Sequence, residues 1–408
     1  MVWRWLTSRT FRQAMELHRH VASLLKSQQD LLAADDAGAV QDALNQLRAR
    51  WRSDGDAEGL REGMRALRET SDKWLYDPSK SMLRELLEML LVALTVVLAL
   101  QTFFLQPMKI PTGSMQPTLF GITLEDLRQR RDVQIPGTLR RLFERCFLGR
   151  VYYHIVARAP GELVRIDPPQ PIAPFVRAFP FLTKQLFQVG DTTYTIWFPP
   201  RDLPNPTGTN PDHLFLFDAG VKPQHRFQAG DDIVRLAVNA GDHVLVDRFT
   251  YNFRRPQRGE IIVFETQGVP ALRQETHFIK RLVALGGERV RIGNDRHLVI
   301  EGRRLDASTP HFENVYSFSG RPIENRYSGH VNDYVARKEG GVASGLAPLF
   351  AREKSEFHVR PQHFLVMGDN TMNSFDGRTW GDFPQENVTG RYLLVYWPMG
   401  GRFGWGQD

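Results

Sequence analysis

Cysteine is almost absent from this sequence, because Cys146 is the only one among 408 residues. A single thiol excludes an intramolecular disulfide and argues against a cysteine-based metal site. We therefore expect neither a metal nor a cofactor, and we expect Cys146 to pack as a small buried hydrophobe. Zinc-finger spacing and aromatic-basic nucleic-acid modules are also missing, so nucleic acid is not an expected partner.

Charge is almost missing from one long segment. Over residues 86–105 the single charged residue is Glu88 and the single amide is Gln101. A helix of about 20 residues, at about 1.5 Å each, spans the hydrocarbon core of a bilayer. A buried helix of this length in a soluble protein would normally keep a polar face. The pattern therefore predicts a transmembrane helix over residues 85–106, stopped by Pro107.

The flanking charges predict the orientation of this helix. Lys73, Lys80 and Arg84 precede it, whereas only Lys109 follows it closely. By the positive-inside rule, residues 1–84 are cytoplasmic and residues 107–408 are extracytoplasmic. We expect no secretory signal peptide at the start, because arginines interrupt the first apolar stretch. The net charge of +6 favours attraction to anionic lipid headgroups.

Residues 1–84 favour helices. Apolar residues recur at spacings of three and four in "FRQAMELHRHVASLLKSQQDLLAADD", "AVQDALNQLRARW" and "LREGMRALRETSDKWL". This periodicity is typical of amphipathic helices. We expect a small cytoplasmic helical region ahead of the transmembrane helix.

Residues 107–408 favour strands instead. Short β-branched or aromatic runs separated by turn residues predict antiparallel strands in "DHVLVDRFTY", "GEIIVFET", "ERVRIG", "HLVIEGRRL", "HFLVMGD" and "RYLLVYW". Residues 121–240 interrupt this pattern as an inserted subdomain, in which "LEDLRQRRD" is predicted to be a basic helical piece. A loop-rich insertion follows at about 306–355. The predicted fold class is mainly β, an antiparallel domain preceded by one transmembrane helix and a helical region.

Ser114 lies in "IPTGSMQPTL", a few residues beyond the predicted membrane segment. A serine hydroxyl is a weak nucleophile until a base removes its proton. The G-x-S-x-G elbow does not fit, because no glycine stands two residues after Ser114. A Ser-His-Asp triad stays open, since the chain has 12 histidines, of which His277 is the one to consider.

A lysine base is the other option. Lys280 lies in the apolar run "HFIKRLVALGGERV". A lysine must be neutral to accept a proton, and burial lowers its pKa by desolvating the ammonium form. In a strand, Lys280 would share one face with Phe278 and Leu282, while Arg281 would point towards water.

Five segments in order carry a resemblance to a known family. They are "PTGSMQPTL", "GDHVLVDRFTY", "RGEIIVF", "FIKRLVALGGERV" and "GDNTMNSFDGRTWG". They resemble the ordered motifs of the bacterial type I signal (leader) peptidases, a family that uses a serine-lysine dyad behind a membrane anchor. The resemblance implies a signal-peptidase-like antiparallel β fold for the extracytoplasmic domain.

The resemblance also implies roles for single residues. Ser114 would be the nucleophile and Lys280 the general base. The oxyanion hole would be formed by Thr112 and the backbone N–H of Ser114. Ser374 would hydrogen-bond and orient the lysine amine.

Three further features belong to the last of these motifs. Asp376 and Arg378 would form a supporting pair beside the dyad. We expect Asp369 and Asn370 to shape a turn in the wall of the site rather than to take part in the chemistry. Met372 stands where many relatives have aspartate, so a salt bridge from that position is not expected.

The implied function is removal of signal peptides from secreted preproteins by a serine endopeptidase in the bacterial inner membrane. The expected partners are preproteins with small residues before the cleavage site and the lipid bilayer. The resemblance implies a substrate pocket lined by Met108, Ile110, Met115, Phe278 and Ile279.

Residues 121–240 are the main departure from the family, because they separate the first two motifs. They could cover the cleft, bind the membrane, or contact a partner such as the secretion machinery. Two other functions compete with the proteolytic one. A self-cleaving repressor of the SOS type shares a serine-lysine dyad, but this sequence has a predicted membrane helix and no helix-turn-helix. An inactive membrane-tethered binding module would use residues 121–240 as its binding region.

Overall fold

The computed structural model describes residues 8–52, 57–76, 82–130, 132–173, 182–200, 215–222, 225–316, 329–340 and 345–405. The chain divides into two compact units, Met1–Leu98 and Ala99–Asp408.

Helices dominate the first unit and strands the second. The described helices are α1 (Arg9–Gln28), α2 (Ala34–Arg52), α3 (Ala57–Trp74), α4 (Met82–Phe103), α5 (Thr138–Phe147), α6 (Phe215–Asp218), α7 (Glu313–Tyr316), α8 (Asp333–Gly340) and α9 (Gly377–Trp380). The described strands are β1 (Leu105–Lys109), β2 (Thr123–Asp126), β3 (Arg150–Val156), β4 (Gly161–Ile166), β5 (Gln170–Pro171), β6 (Thr183–Val189), β7 (Thr192–Trp197), β8 (Arg226–Phe227), β9 (Asp232–Asn239), β10 (His243–Asp247), β11 (Ile261–Glu265), β12 (His277–Leu285), β13 (Arg289–Ile292), β14 (Leu298–Ile300), β15 (Arg303–Arg304), β16 (Phe357–His358), β17 (His363–Met367), β18 (Phe383–Pro384), β19 (Val388–Trp397) and β20 (Gly404–Trp405). Short 3-10 turns lie at Gln29–Leu31, Thr250–Asn252, Pro348–Phe350 and Gln385–Asn387.

The helices α1, α2 and α3 share a core in the first unit. The side chain of Ser8 caps α1 by accepting a hydrogen bond from the backbone N–H of Phe11 at 3.3 Å. The buried residues of this core are Phe11, Ala14, Val21, Leu25, Val40, Leu44, Leu47, Leu60, Met64, Leu67 and Leu75. They recur at the helical spacing seen in the sequence, so the predicted N-terminal helices are confirmed.

The helix α4 carries the apolar segment. Its residues Glu85–Phe103 are long and apolar enough to cross a membrane, and none of that segment is buried within the protein. The helix ends at Phe103, before the expected residue 106, and Pro107 does not stop it. Pro107 instead lies in β1, opposite Leu245. Because β1 is at the edge of its sheet, the missing N–H of proline is tolerated there.

An eight-stranded antiparallel sheet dominates the second unit and confirms the mainly β fold class. Its order is β1-β10-β19-β11-β12-β17-β18, with β20 paired to β19. Buried apolar residues cover both of its faces. One cluster contains Ile110, Met115, Leu119, Val244, Val246, Ile261, Val263 and Val395, and the other contains Ile262, Phe264, Val269, Leu272, Leu282, Phe364, Val366 and Phe383.

A smaller sheet extends this domain. Its order is β15-β14-β13-β16, and residues of α7 pack on it in a shared apolar core. The segment expected to be loop-rich, at about 306–355, contains α7, α8 and a 3-10 turn. Within that segment, residues 317–328 and 341–344 lie outside the described residues.

Residues 121–240 contain two sheets of their own. Their orders are β2-β9-β3 and β5-β6-β4-β8, with β7 paired to β6, and they share an apolar core. The helix predicted in "LEDLRQRRD" is wrong, because this stretch begins with strand β2. Pairing with β9 satisfies its backbone, and the carboxylate of Glu125 binds Arg150 of β3 at 2.6 Å.

Cys146 is also placed differently from the expectation. It lies near the end of α5 and is exposed, because the buried side of this helix carries Glu144 instead. The Glu144 carboxylate accepts hydrogen bonds from the hydroxyl of Tyr152 at 2.7 Å and from Arg140 at 2.9 Å. The prediction of a buried thiol is therefore wrong.

The two ends of the 121–240 segment meet beside the main sheet. The N–H of Asp242 donates to the carbonyl of Phe120 at 2.8 Å, and the N–H of Ile110 donates to the carbonyl of Asp242 at 2.9 Å. Gly241 permits this approach, because a Cβ atom at that position would lie 1.8 Å from the carbonyl oxygen of Ile110.

We expect Gly241→Ala to destabilise the second unit by several kcal/mol, because a backbone carbonyl cannot move aside for the added methyl group without breaking this junction. Urea unfolding followed by tryptophan fluorescence would measure the change. Gly400→Ala is the matched control, since an added Cβ there meets nothing within 4 Å. Equal stability of the two variants would contradict the tight junction.

Candidate active site

Ser114 and Lys280 are in hydrogen-bonding contact. Lys280 Nζ lies 2.7 Å from Ser114 Oγ and 3.0 Å from the carbonyl oxygen of Ile279. Both side chains are buried, at 4% exposure for Lys280 and 7% for Ser114. The lysine comes from β12, in the middle of the main sheet, and the serine from the turn after β1. The two residues predicted as a nucleophile and its base are therefore brought together.

Burial changes the acidity of the lysine. Desolvation lowers the pKa of Lys280 to about 8, while the carboxylates of Asp376 and Asp369 act to raise it and Arg378 acts to lower it. The ring of Phe278 lies 5.4 Å from Nζ, which fits the predicted shared face of β12. An amine with this pKa is partly neutral near neutral pH, so it can accept a proton.

The histidine alternative is not brought to the serine. His277 is exposed at the start of β12, and its Nε2 lies 3.6 Å from a carboxylate oxygen of Glu265. Among the described residues, the side-chain partners of Ser114 Oγ are Lys280 and Thr112.

Thr112 lies beside Ser114 and is exposed to solvent. Its Oγ1 lies 3.4 Å from Ser114 Oγ. This hydroxyl is close enough to Ser114 Oγ to donate to an oxyanion, if a carbonyl carbon were bonded to that oxygen.

The turn around Ser114 is held by Asn370. The N–H of Asn370 donates to the carbonyl of Ser114 at 3.0 Å, and its side-chain amide donates to the carbonyl of Gly113 at 2.9 Å. Sequence reasoning assigned Asn370 only to a turn in the wall and missed these contacts. They are made across a long separation in the chain, and only the resemblance pointed to this segment.

A buried ion pair links β12 to the turn that follows β17. Arg281 donates Nε to Asp369 Oδ1 at 2.8 Å and Nη2 to Oδ2 at 2.7 Å, and both side chains are 1% exposed. Thr118 Oγ1 also donates to Asp369, at 2.5 Å. The expectation that Arg281 points to water is wrong, because β12 is covered on both faces. The guanidinium is further satisfied by the carbonyls of Gly259 and His311, each at 2.7 Å.

Asp376 and Arg378 form a second buried pair near Lys280. Arg378 donates Nε and Nη2 to the carboxylate, each at 2.9 Å, and the N–H of Gly368 donates to it at 2.9 Å. Burial alone would raise the pKa of Asp376, but the charge and hydrogen bonds of Arg378 outweigh it and lower that pKa. The carboxylate therefore stays ionised and close enough to act on the lysine.

Ser374 is buried beside Gly368, where an added Cβ would meet its Oγ at 2.2 Å. Within the described part of the chain, this Oγ makes no hydrogen bond of normal geometry, although it lies near enough to Asp376 to help lower the pKa of that carboxyl. Its predicted bond to the lysine amine is thus not formed in this structure, and its orienting role stays a prediction. Met372 packs against the buried apolar cluster of Val331, Val335 and Ala336.

The five predicted pocket residues fall into three groups. Ile110 and Met115 are buried in the apolar cluster on one face of the sheet, while Met108 and Ile279 are partly buried against that cluster. Phe278 packs against the cluster of the opposite face. Only the partly buried residues have surface left for a ligand. Among the described residues, no group of three or more His, Cys, Asp or Glu side chains could hold a metal ion.

Part of this chain matches the model of a known protein family. Residues 234–397 match the family described as signal peptidase, peptidase S26. This match includes Lys280, Ser374, Asp376 and Arg378, but it begins after Ser114.

Individual relatives agree with this match. The chain is 30% identical over 167 residues to a signal peptidase I of Leptolyngbya laminosa, covering 40% of this chain and 63% of the relative. It is 27% identical over 183 residues to the signal peptidase I of Aquifex aeolicus, covering 38% of this chain and 69% of the relative. A crystal structure of a signal peptidase I from Enterococcus faecalis matches 34% of this chain and 97% of that chain, with 27% identity and a TM-score of 0.20. The chain thus spans somewhat less than two thirds of the Leptolyngbya relative.

We expect Asp369→Asn to lower the free energy of unfolding by about 3–5 kcal/mol, because it leaves the Arg281 guanidinium buried without its counter-charge. Urea denaturation at pH 7 would measure this. Glu301→Gln is the control, since it removes the carboxylate of an exposed ion pair with Arg289 and should lower the stability far less, because water screens exposed charges. Similar losses in the two variants would contradict the importance of the buried pair.

Proposed function

We propose that this chain, which carries a signal peptidase domain of the peptidase S26 family over residues 234–397, is a serine endopeptidase that removes signal peptides from secreted preproteins. The observation that carries the proposal is the buried 2.7 Å contact between Lys280 Nζ and Ser114 Oγ. A base in contact with a serine hydroxyl is the arrangement that nucleophilic catalysis requires.

The reaction begins with acylation of Ser114. Neutral Lys280 takes the hydroxyl proton as Oγ attacks the scissile carbonyl. The resulting oxyanion is stabilised by the Thr112 hydroxyl and the backbone N–H of Ser114. Collapse of the tetrahedral intermediate breaks the C–N bond, and the leaving amine receives the proton from Lys280.

Deacylation repeats these steps with water. Lys280 accepts a proton from the water that attacks the acyl ester, and it returns this proton to Ser114 Oγ when the signal peptide leaves with a free carboxylate. Burial lowers the pKa of Lys280 to about 8, while the Asp376 carboxylate opposes this shift and Arg378 adds to it. The amine is therefore neutral often enough to accept the proton and still basic enough to hold it until the proton is passed on.

The substrate is proposed to be an extended peptide with small residues before the cleavage site. β1 is an edge strand in the described sheet, and an edge can pair with the backbone of an extended peptide. Met108 of β1 and Ile279 of β12 keep part of their surface exposed, so they can border the pocket for such residues.

We place the active site at the outer face of the bacterial inner membrane. The apolar exposed helix α4 would be the single membrane anchor, with the N-terminus cytoplasmic. Only Phe104 separates α4 from β1, so the chain that carries Ser114 would start at the membrane surface. A signal peptide presents its cleavage site at the same boundary.

We expect Ser114→Ala and Lys280→Met each to reduce cleavage of a model preprotein in detergent by at least about 10³-fold, because either change removes one half of the dyad. Gel analysis of the cleaved product would measure the rate. The matched controls are Ser308→Ala and Lys354→Met, which alter exposed residues of the same types and should cleave normally. Full activity of both dyad variants would exclude the Ser114–Lys280 mechanism, whereas no cleavage by the wild-type chain would favour the inactive binding module.

The pH dependence gives a second test. Protonated Lys280 cannot act as a base, and its pKa of about 8 means that the neutral fraction rises about tenfold between pH 7 and pH 9. We therefore expect kcat/KM to rise with pH through about 8 and then level off. Initial rates on a peptide without groups that titrate in this range would measure the profile. A rate that is constant or falls from about pH 6 to 9 would exclude neutral lysine as the base.

A further inference from the structure

Helix α5, within the inserted segment 121–240, exposes an apolar face. Leu139 is 85% exposed, Leu142 59% and Phe143 54%, and Phe147 is also exposed. These positions follow the spacing of three and four residues that puts side chains on one side of a helix. Such a face in water is unfavourable unless something covers it.

The opposite side of α5 is fixed to the protein. Glu144 is buried under Tyr152 and Arg140. The indole N–H of Trp397 donates to the carbonyl of Cys146 at 2.7 Å, and the N–H of Met399 donates to the carbonyl of Phe147 at 2.7 Å. The apolar face therefore belongs to a helix held firmly in place.

Basic residues lie on the other side of α5 from the apolar face, where they border a cavity beside β3. Arg141 and Arg145, one turn apart on α5, line this cavity of about 630 Å³ together with Lys109 at the end of β1. Tyr152, Tyr153, Trp197 and Trp397 also border this cavity. Its surface thus offers cationic groups and aromatic rings, the combination that suits phosphate headgroups at a membrane interface.

We infer that α5 is an interfacial helix that lies on the anionic bilayer surface. Leu139, Leu142, Phe143 and Phe147 enter the boundary between headgroups and acyl chains, while Arg141 and Arg145 contact lipid phosphates. The inference rests on the α4 anchor of the proposed function, which holds the second unit at the bilayer. It assigns the inserted segment a second membrane contact, independent of the dyad. Arginine on one side and leucine with phenylalanine on the other is the pattern of interfacial helices.

The single cysteine allows a direct test. Cys146 is exposed on α5, so a nitroxide can be attached to the full-length Ser114→Ala chain without adding or removing a thiol. The labelled chain is reconstituted into vesicles of phosphatidylcholine with phosphatidylglycerol, or of phosphatidylcholine alone. We expect the nitroxide to collide more with oxygen, which enters the bilayer, than with a water-soluble nickel complex. We expect this preference to be stronger in the anionic vesicles.

Two matched variants test the face itself. Leu142→Glu should reverse the preference and leave the nitroxide accessible to the nickel complex. Val164→Glu places the same charge at an exposed valine of β4, 67% exposed, and should change nothing. A double change of Arg141→Gln and Arg145→Gln should abolish the difference between the two lipid compositions. Circular dichroism and urea unfolding would confirm that each variant folds.

Three results would overturn the inference. The first is a nitroxide open to the nickel complex in both kinds of vesicle. The second is equal effects of Leu142→Glu and Val164→Glu. The third is protection from both reagents that grows with the ratio of protein to lipid, since this would indicate a second copy of the chain. Flotation with vesicles and preprotein cleavage by the wild-type chain test the anchor and the proposed function separately. A chain that floats and cleaves while its α5 label stays in water contradicts this inference alone.

Discussion

The contact between the buried amine of Lys280 and the buried hydroxyl of Ser114 is the constraint that the arrangement of the surrounding segments must satisfy. Lys280 and Ser114 are separated by 166 positions in the chain, so no local element can join them. The segment after β17 does this, because β17 pairs with β12 and Asn370 hydrogen-bonds the turn that carries Ser114. An ammonium ion in this position would lose its hydration, which keeps the amine ready to take a proton.

The charges around this contact are balanced in pairs. Arg281 neutralises Asp369, and Arg378 neutralises Asp376, with each member hydrogen-bonded to the other. Buried ions are tolerated when they are paired and fully hydrogen-bonded. The pairs also tie separate segments together. Asp369 binds Thr118, which is close to Ser114 in the chain, and Arg281, which is next to Lys280. The geometry of the site and the stability of the domain therefore depend on the same residues.

Residues 121–240 are compatible with this geometry because the two ends of the segment meet at one place. The backbone hydrogen bond between Asp242 and Phe120 closes the segment, and its apolar residues form a separate core. Residues 121–240 can thus carry a surface of their own, such as the proposed interfacial face of α5, while β1 and β10 pair as neighbours. A long segment between two paired strands is compatible with the sheet when it begins and ends beside that strand pair.

Features that depend on local pattern could be predicted from the sequence. Helical periodicity identified α1 to α3, short β-branched and aromatic runs identified β10, β11, β17 and β19 of the main sheet, and the motifs singled out Ser114 and Lys280. β1 was not identified, because its first residues continue the apolar run that was assigned to the membrane helix. The burial of individual side chains could not be predicted in this way. Folding places Arg281 in an ion pair, Cys146 at the surface, and "LEDLRQRRD" partly in a strand. Burial and pairing depend on segments far apart in the chain, and a local pattern carries no information about what covers it.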